Sequence, residues 1–569
     1  MDDARSTAGL TRKPALAIAC GALGAFDPSR VSAIAEALPT PTRVEHEDRH
    51  SILMLDREPL RWESQPDSGL VWSEHPGAET AKDVGRWEDA ATDLLASGLA
   101  IQGESRLLHA SVSGVQPLYF QAERDAVYFA TRVDALARTA PTLLSIDWDA
   151  WAAILTLRHP LGDRTPFAEI RRLGPFERLC WEHGSVKRST GRWPWAEVEP
   201  RLSLDEGAGA VVETMREALA LPAGPVTCLL SGGWDSRISA ALLAQANRDG
   251  VLTLTTQPDT HEDRETAAAA AVAKAFGLQH EVVAGEPERR WDDLTLLAER
   301  ADFQTPRPPW RMALLPAMRA RPAAPTLDSF CLDVWAAAGD RFFGPGASDP
   351  SGGLGGVHEV WSELERRASA RNPFLKRELT RALQGSARAQ FVRDSQRFDG
   401  HPLRAVLTFY CTRSVRGIAL GPFAVHGAET PMLLPYTNDA LVRSMLAIRM
   451  SAKENAALYH ALFEAIDPRL ATLPSTRSLA AQAPEARRHD IPAAASVADS
   501  LSVCLRDGPL TPFLRPAALR SLERHRRGRS ARVPMREAVR PAFFHLWHRR
   551  YRELLREDDP GEALGLRPA

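Results

Sequence analysis

Over about its first 200 positions the chain breaks into short apolar or alternating runs separated by turn residues. Arg106 to Val112, Pro117 to Phe120 and Ala126 to Thr131 read as strands of packed antiparallel sheets. Pro14 to Phe26 follows Arg12 and Lys13 but is read as a buried strand, because Asp2 and Asp3 spoil the basic start of a signal peptide. After a polar stretch from Glu197 to Asp205 the period changes. Gly207 to Leu219 predicts a helix, Val226 to Leu230 a short buried strand, and Ile238 to Leu243 an Ala/Leu-rich helix. Val251 to Thr256 then reads as a second parallel strand, followed by an alanine-rich helix through Phe276. The expected fold class is α/β plus α+β. A β-sandwich domain covers residues 14–200 and a parallel-sheet domain covers 207–569.

The link between the first parallel strand and its helix carries the most specific chemistry. Cys228-Leu229-Leu230-Ser231-Gly232-Gly233-Trp234-Asp235-Ser236 places two glycines where the backbone can approach a ligand, just before a helix start. N–H groups there face an anion, with the hydroxyls of Ser231 and Ser236 beside them. Asp235 would repel a polyphosphate unless a cation such as magnesium joins them. No G-K-[ST] follows, so this is not a Walker loop.

Composition narrows the class. At 569 residues, 44% hydrophobic and 25% charged, the chain matches a globular enzyme of two or more domains. A net charge of −2 provides no global field toward nucleic acid or membrane. No apolar run reaches the roughly 20 residues of a spanning helix. The six cysteines, Cys20, Cys180, Cys228, Cys331, Cys411 and Cys504, are scattered without zinc spacing, which points to a reducing cytoplasm.

The S-G-G-x-D-S pattern resembles the pyrophosphate (PP) loop of the ATP pyrophosphatases, which cleave ATP to AMP and pyrophosphate while adenylating an oxygen. Ser111 to Tyr119, Phe129-Ala130-Thr131, Pro166 to Ile170 and Leu173-Gly174-Pro175 resemble the glutaminase (Ntn-hydrolase) domain of asparagine synthetases. That domain uses an N-terminal cysteine. This chain begins Met1-Asp2-Asp3, and Cys20 lies inside an apolar run, so glutamine hydrolysis is not expected. Glu262-Asp263-Arg264-Glu265 and Gly277-Leu278-Gln279-His280 follow the order of the synthetase domain. The acids there also suit a helix cap, and His280 a strand start.

The resemblance implies ATP and Mg2+ as cofactors. It assigns the nucleotide to Leu230, Ser231, Gly232, Gly233, Asp235, Ser236 and Thr256, and the metal to Asp235 and Asp340 of Ala338-Gly339-Asp340-Arg341-Phe342-Phe343-Gly344. Arg341 stands where the family has Glu and could pair with a phosphate or carboxylate. Arg413, Arg416, Glu429 and Leu434 to Val442 match later motifs loosely. Lys453 and Arg477 are candidates for neutralising departing pyrophosphate, and Glu429 with Lys453 for activating an amine. Gly344 to Gly356 is glycine-rich, a lid or a tolerated insertion. The basic segment from Arg515 to Arg556 reads as a solvated or mobile surface.

A synthetase domain joined to a glutaminase-like domain without its cysteine resembles lasso peptide cyclases first and β-lactam synthetases second. The first resemblance implies ATP-dependent macrolactam formation on a leader-cleaved precursor peptide. A separate leader peptidase and a leader-recognition protein would be its partners, with no nucleic acid and no membrane span. A β-lactam or other small-molecule amide synthetase is the alternative, and a non-catalytic nucleotide-binding scaffold the third reading.

Overall fold

The computed structural model describes residues 18–64, 67–72, 96–190, 192–221, 224–246, 250–257, 264–307, 309–322, 324–336, 354–368, 372–476, 478–479, 495–527, 535–557 and 560–566. Two sheets in it are antiparallel. The first has the order β10-β8-β9-β1-β3-β2, from β1 (Ala19–Gly24), β2 (Arg43–Glu47), β3 (Ser51–Leu55), β8 (Tyr119–Ala122), β9 (Ala126–Ala130) and β10 (Arg171–Arg172). The second runs β12-β11-β7-β6-β5-β4, from β4 (Leu60–Ser64), β5 (Asp67–Val71), β6 (Gly98–Gln102), β7 (Ser105–His109), β11 (Glu177–Glu182) and β12 (Ser185–Thr190). Leu23, Leu53 and Phe129 of the first meet Leu99, Leu108 and Leu179 of the second in one buried cluster, so the two sheets pack face to face.

The third sheet is parallel, with the order β15-β14-β13-β16-β17. Its strands are β13 (Val226–Leu229), β14 (Val251–Gln257), β15 (Gln279–Ala284), β16 (Thr326–Leu327) and β17 (Met432–Leu433). The predicted helices are present as Leu204–Ala218, Trp234–Gln245 and Arg264–Ala275. The first begins with a reciprocal cap in which Ser203 accepts from Glu206 N–H and the Glu206 carboxylate accepts from Ser203 N–H.

Two expectations about the C-terminal half change. The glycine-rich stretch expected to run as a loop to Gly356 is helical from Leu354 to Ala368. Val360, Trp361 and Leu364 of that helix are buried, and this packing draws the helix back over its glycines; residues 344–353 lie outside the described residues. The basic segment is packed rather than merely solvated. Helix Met535–Tyr551 buries Phe543, Phe544 and Trp547 against Trp151 and Phe167 of the N-terminal half. Arg550 pairs with Glu299 and Asp134, while Arg526 and Arg527 pair with Glu523. No helix among the described residues is long and apolar enough to cross a membrane.

This shared core ties the N-terminal sheets to the end of the chain. Trp547 is fully buried, with its ring 4.9 Å from Trp151 and 5.2 Å from Phe167. Trp547→Ala is expected to cost about 3–5 kcal/mol. Urea unfolding followed by tryptophan fluorescence and by circular dichroism reads the loss, and the two antiparallel sheets are expected to melt with the C-terminal helix.

Candidate active site

The site lies at the carboxyl edge of the parallel sheet, where β13 gives way to the glycine turn. Leu230 N–H donates to Leu254 O at 2.9 Å and Thr255 Oγ1 donates to Leu230 O at 2.6 Å, so the turn starts from a fixed strand end next to Thr256. Helix Trp234–Gln245 follows with Gly233 as its N-cap and Asp235 in its first turn. The turn N–H groups are taken up by hydroxyls of the turn itself. Ser231 N–H donates to Ser236 Oγ at 2.9 Å and Gly233 N–H to Ser231 Oγ at 3.1 Å, with the two hydroxyls 3.0 Å apart. Oxygens of a phosphate compete for the same donors at a helix start whose dipole favours negative charge.

Asp235 has a partner the sequence did not reveal. Tyr459, buried in helix Ala457–Ile466, donates its hydroxyl to Asp235 Oδ1. The rings of Trp234 and Tyr459 pack edge to face at 5.2 Å, and His460 and Phe463 complete the contact. The turn before this helix holds Asn455 and Ala456 in succession at φ 55° and 58°, a costly backbone for residues with a Cβ. That strain fixes where the helix begins, and with it the Tyr459 hydroxyl.

The same edge brings a second carboxylate. β16 lies beside β13 in parallel register, Thr227 opposite Thr326 and Cys228 opposite Leu327, so the residues after Leu327 emerge next to the glycine turn. Ser239 of the phosphate-loop helix ties the two together, 2.8 Å from Ser329 Oγ and 2.7 Å from Tyr436 Oη. Cys331 takes φ 74°, and helix Leu332–Ala336 starts with Asp333 in its first turn. Burial pushes the Cys331 thiol well up; Asp333 and Asp235 add to the shift, and Ser414 and Arg413 oppose it. Asp328, on the same segment, is held by Arg311 at 2.6 Å.

The remaining sequence candidates divide. Asp340 and Arg341, Glu262 and Asp263, and Arg477 lie outside the described residues. Lys453 is held inside the protein. Its Nζ is buried and donates to Trp335 O at 3.1 Å and Met445 O at 2.6 Å, securing the ends of two helices. Burial pushes its ammonium down to about 7. Glu429 sits on the strand-start side of the sheet, two residues before Pro431, whose carbonyl accepts from Thr326 N–H. There Arg319 and Arg300 bond its carboxylate and hold it below the usual range. The physical reason in both cases is that a nearby internal partner satisfies the charge better than an open edge would. Arg416 reaches the N-terminal half through Arg164 O, and Gln304 Oε1 lies 3.4 Å from the same nitrogen. His280 is a strand residue, its Nδ1 2.8 Å from Thr253 Oγ1.

Magnesium suits this donor set. Asp235 opens the helix after the glycine turn and Asp333 the helix after β16, so both offer hard oxygens at the carboxyl edge of the sheet, and a magnesium ion bound through phosphates needs only one or two protein carboxylates. Among the described residues no three His, Cys, Asp or Glu side chains form a cage of their own. When bound, the ion would neutralise charge on the phosphates.

A family model described as Asparagine synthase matches residues 210–314, a span that includes the glycine turn and strands β13 to β15. No curated protein matches the chain. Fold and match together define an ATP-dependent, ligase-type enzyme with an asparagine synthetase-like parallel-sheet unit. Its general chemistry is amide bond synthesis at the expense of ATP.

Two measurements test the site. Tyr459→Phe removes one hydrogen bond to a charged group and is expected to lower kcat about tenfold or more, at a stability cost of roughly 1.5–3 kcal/mol. For Lys453 the folded pKa lies below that of the unfolded chain, about 10.4. The unfolded state then binds more protons between pH 7 and that value, so stability rises with pH in this window, by at most about 1.4 kcal/mol per unit. Urea midpoints at pH 7.5 and 9 should show the slope in the native protein and its disappearance in Lys453→Met.

Proposed function

We propose that this chain is a macrolactam-forming ligase of the lasso cyclase type. A side-chain carboxylate of Asp or Glu in a leader-cleaved peptide attacks the α-phosphorus of ATP, and pyrophosphate leaves. The peptide's own N-terminal amine then displaces AMP from the acyl-adenylate and closes an amide ring. The N–H groups of the glycine turn stabilise charge that builds on the departing pyrophosphate. Asp235, oriented by Tyr459, and Asp333 would hold magnesium, which would neutralise charge on the phosphates, with Arg413 as a further positive charge. Asp340 and Arg477 remain candidate contacts to the metal and to pyrophosphate. A leader peptidase and a leader-recognition protein would deliver the peptide, in a reducing cytoplasm where six unpaired thiols persist.

The observation that carries this reading is the convergence of the phosphate turn with two carboxylates at one sheet edge. A second observation favours an amine carried by the substrate over ammonia from glutamine. Cys20 sits in the middle of the first antiparallel sheet, fully buried, and burial pushes its thiol up to about 12. A thiol in that state is a packing group and a poor nucleophile. The N-terminal sheets, read as a glutaminase-like domain, then act as scaffold.

Incubation with Mg-ATP and a linear core peptide encoded near the gene is expected to give a product lighter by one water, with one AMP per ring, by mass spectrometry. Asp235→Ala should fold normally and lose roughly 10²–10³-fold in rate. Pyrophosphate release on a small β-amino acid or aspartate instead of the peptide would move the assignment to a small-molecule amide synthetase. Nucleotide binding without pyrophosphate release on any carboxylate would leave a scaffold.

A further inference from the structure

Arg237 follows the phosphate motif directly and is 1% exposed, yet among the described residues none of its bonds goes to a carboxylate. Its Nη1 donates to Leu470 O at 2.9 Å and Leu473 O at 3.1 Å, its Nη2 to Pro474 O at 2.8 Å, and its Nε to Gly233 O at 3.2 Å. One buried cation thus joins the glycine turn to a segment more than 230 positions away. That segment continues across the turn. Thr476 N–H donates to Gly232 O at 3.1 Å, and Thr476 Oγ1 donates to Glu265 Oε2 at 2.8 Å. A Cβ on Gly232 would lie 2.0 Å from Thr476 Oγ1, so a side chain there would displace the hydroxyl that bonds Glu265.

The consequence comes from peptide planarity. A carbonyl and the following N–H point in opposite directions within one plane. Holding Gly232 O against Thr476 aims the Gly233 N–H the other way, and holding Gly233 O against Arg237 does the same for the Trp234 N–H. Both are donors at the helix start, where the Gly233 N–H donates to Ser231 Oγ and an anion would compete for it. We propose that Arg237 is a positioning residue that buckles the Leu470–Thr476 strap onto the glycine turn, so that the strap sets the direction of the pyrophosphate-binding N–H groups. This rests on the reading of residues 231–236 as a phosphate loop. Arginine suits the task because its planar fork reaches several carbonyls at once, where an ammonium on one atom cannot.

The test uses the full-length protein and its Arg237→Met and Arg237→Lys variants. Calorimetry reads the affinity for inorganic pyrophosphate with magnesium and, separately, for AMP; hydrogen exchange reads the amides of residues 470–479. In Arg237→Met, pyrophosphate affinity is expected to fall about tenfold or more, the size of a lost charged hydrogen bond, with AMP affinity unchanged. Exchange in the strap should speed up while β13 to β15 stay protected, and Arg237→Lys should recover part of both effects. Unchanged pyrophosphate affinity in Arg237→Met, or an equal loss for AMP, overturns the proposal. If Arg237→Met does not fold, unchanged affinity in Arg237→Lys overturns it in the same way. A native protein that binds neither pyrophosphate nor ATP overturns the phosphate-loop reading instead, while strap exchange still reports whether Arg237 holds the segment.

Discussion

The parallel pairing of β13 with β16 is the constraint on which the site depends. It consists of two registered residue pairs, Thr227 with Thr326 and Cys228 with Leu327. Yet it places residues 231–236 and 328–333, about 100 positions apart, at one edge. Strand pairing this short is weak by itself, and β16 is held on its other side by β17. Thr326 N–H donates to Pro431 O, Asp328 N–H to Leu433 O, and Thr430 Oγ1 to Thr326 Oγ1. The Ser239 hydroxyl, reaching both Ser329 and Tyr436, ties the phosphate-loop helix to β16 and β17. A polar bridge of this kind in a buried place fixes one geometry, because a shift of either partner leaves hydroxyls unsatisfied.

What the sequence made legible follows from how local each signal is. The strand, glycine turn and helix around Ser231 to Ser236 are specified within about a dozen residues, and the structure places them where periodicity and turn chemistry put them. β1, β7, β9 and β14 were readable for the same reason. β16 and β17 were not, since two residues carry no period. Without those strands the turn after Leu327 had no visible reason to lie beside the phosphate turn, and Asp333 passed unnoticed. Cys331 hid the turn further, because a left-handed position usually announces itself as glycine. Tyr459 was equally silent: its role depends on a helix that begins 222 positions after its partner Asp235 and is set by a strained turn.

The antiparallel sheets and the end of the chain form one physical unit. Trp148, Trp151 and Phe167 pack with Phe544, Trp547 and Tyr551, and Leu144 pairs by backbone with Leu554 and Arg556. A boundary near residue 200, drawn from the change in periodicity, marks where the pattern of elements switches. It does not mark where packing stops, because a single hydrophobic cluster contains residues from both sides.

Buried cations explain why charge alone misled the search for phosphate ligands. Five of them bond backbone carbonyls on distant segments. Arg172 reaches Val415 O and Gly114 O, Arg416 reaches Arg164 O, and Arg540 reaches Leu155 O. Lys453 reaches Trp335 O and Met445 O, and Arg237 reaches four carbonyls around the glycine turn. Such a group loses its hydration on burial and is tolerated only where acceptors replace it. Carbonyls at helix ends and turns offer those acceptors without the second desolvation cost of a buried carboxylate. A cation used this way is a staple between chain segments. Lys453 carries the lesson furthest. It secures Trp335, two residues beyond Asp333, so it bears on the site by holding the short helix that presents the carboxylate, and its charge never needs to meet the phosphates.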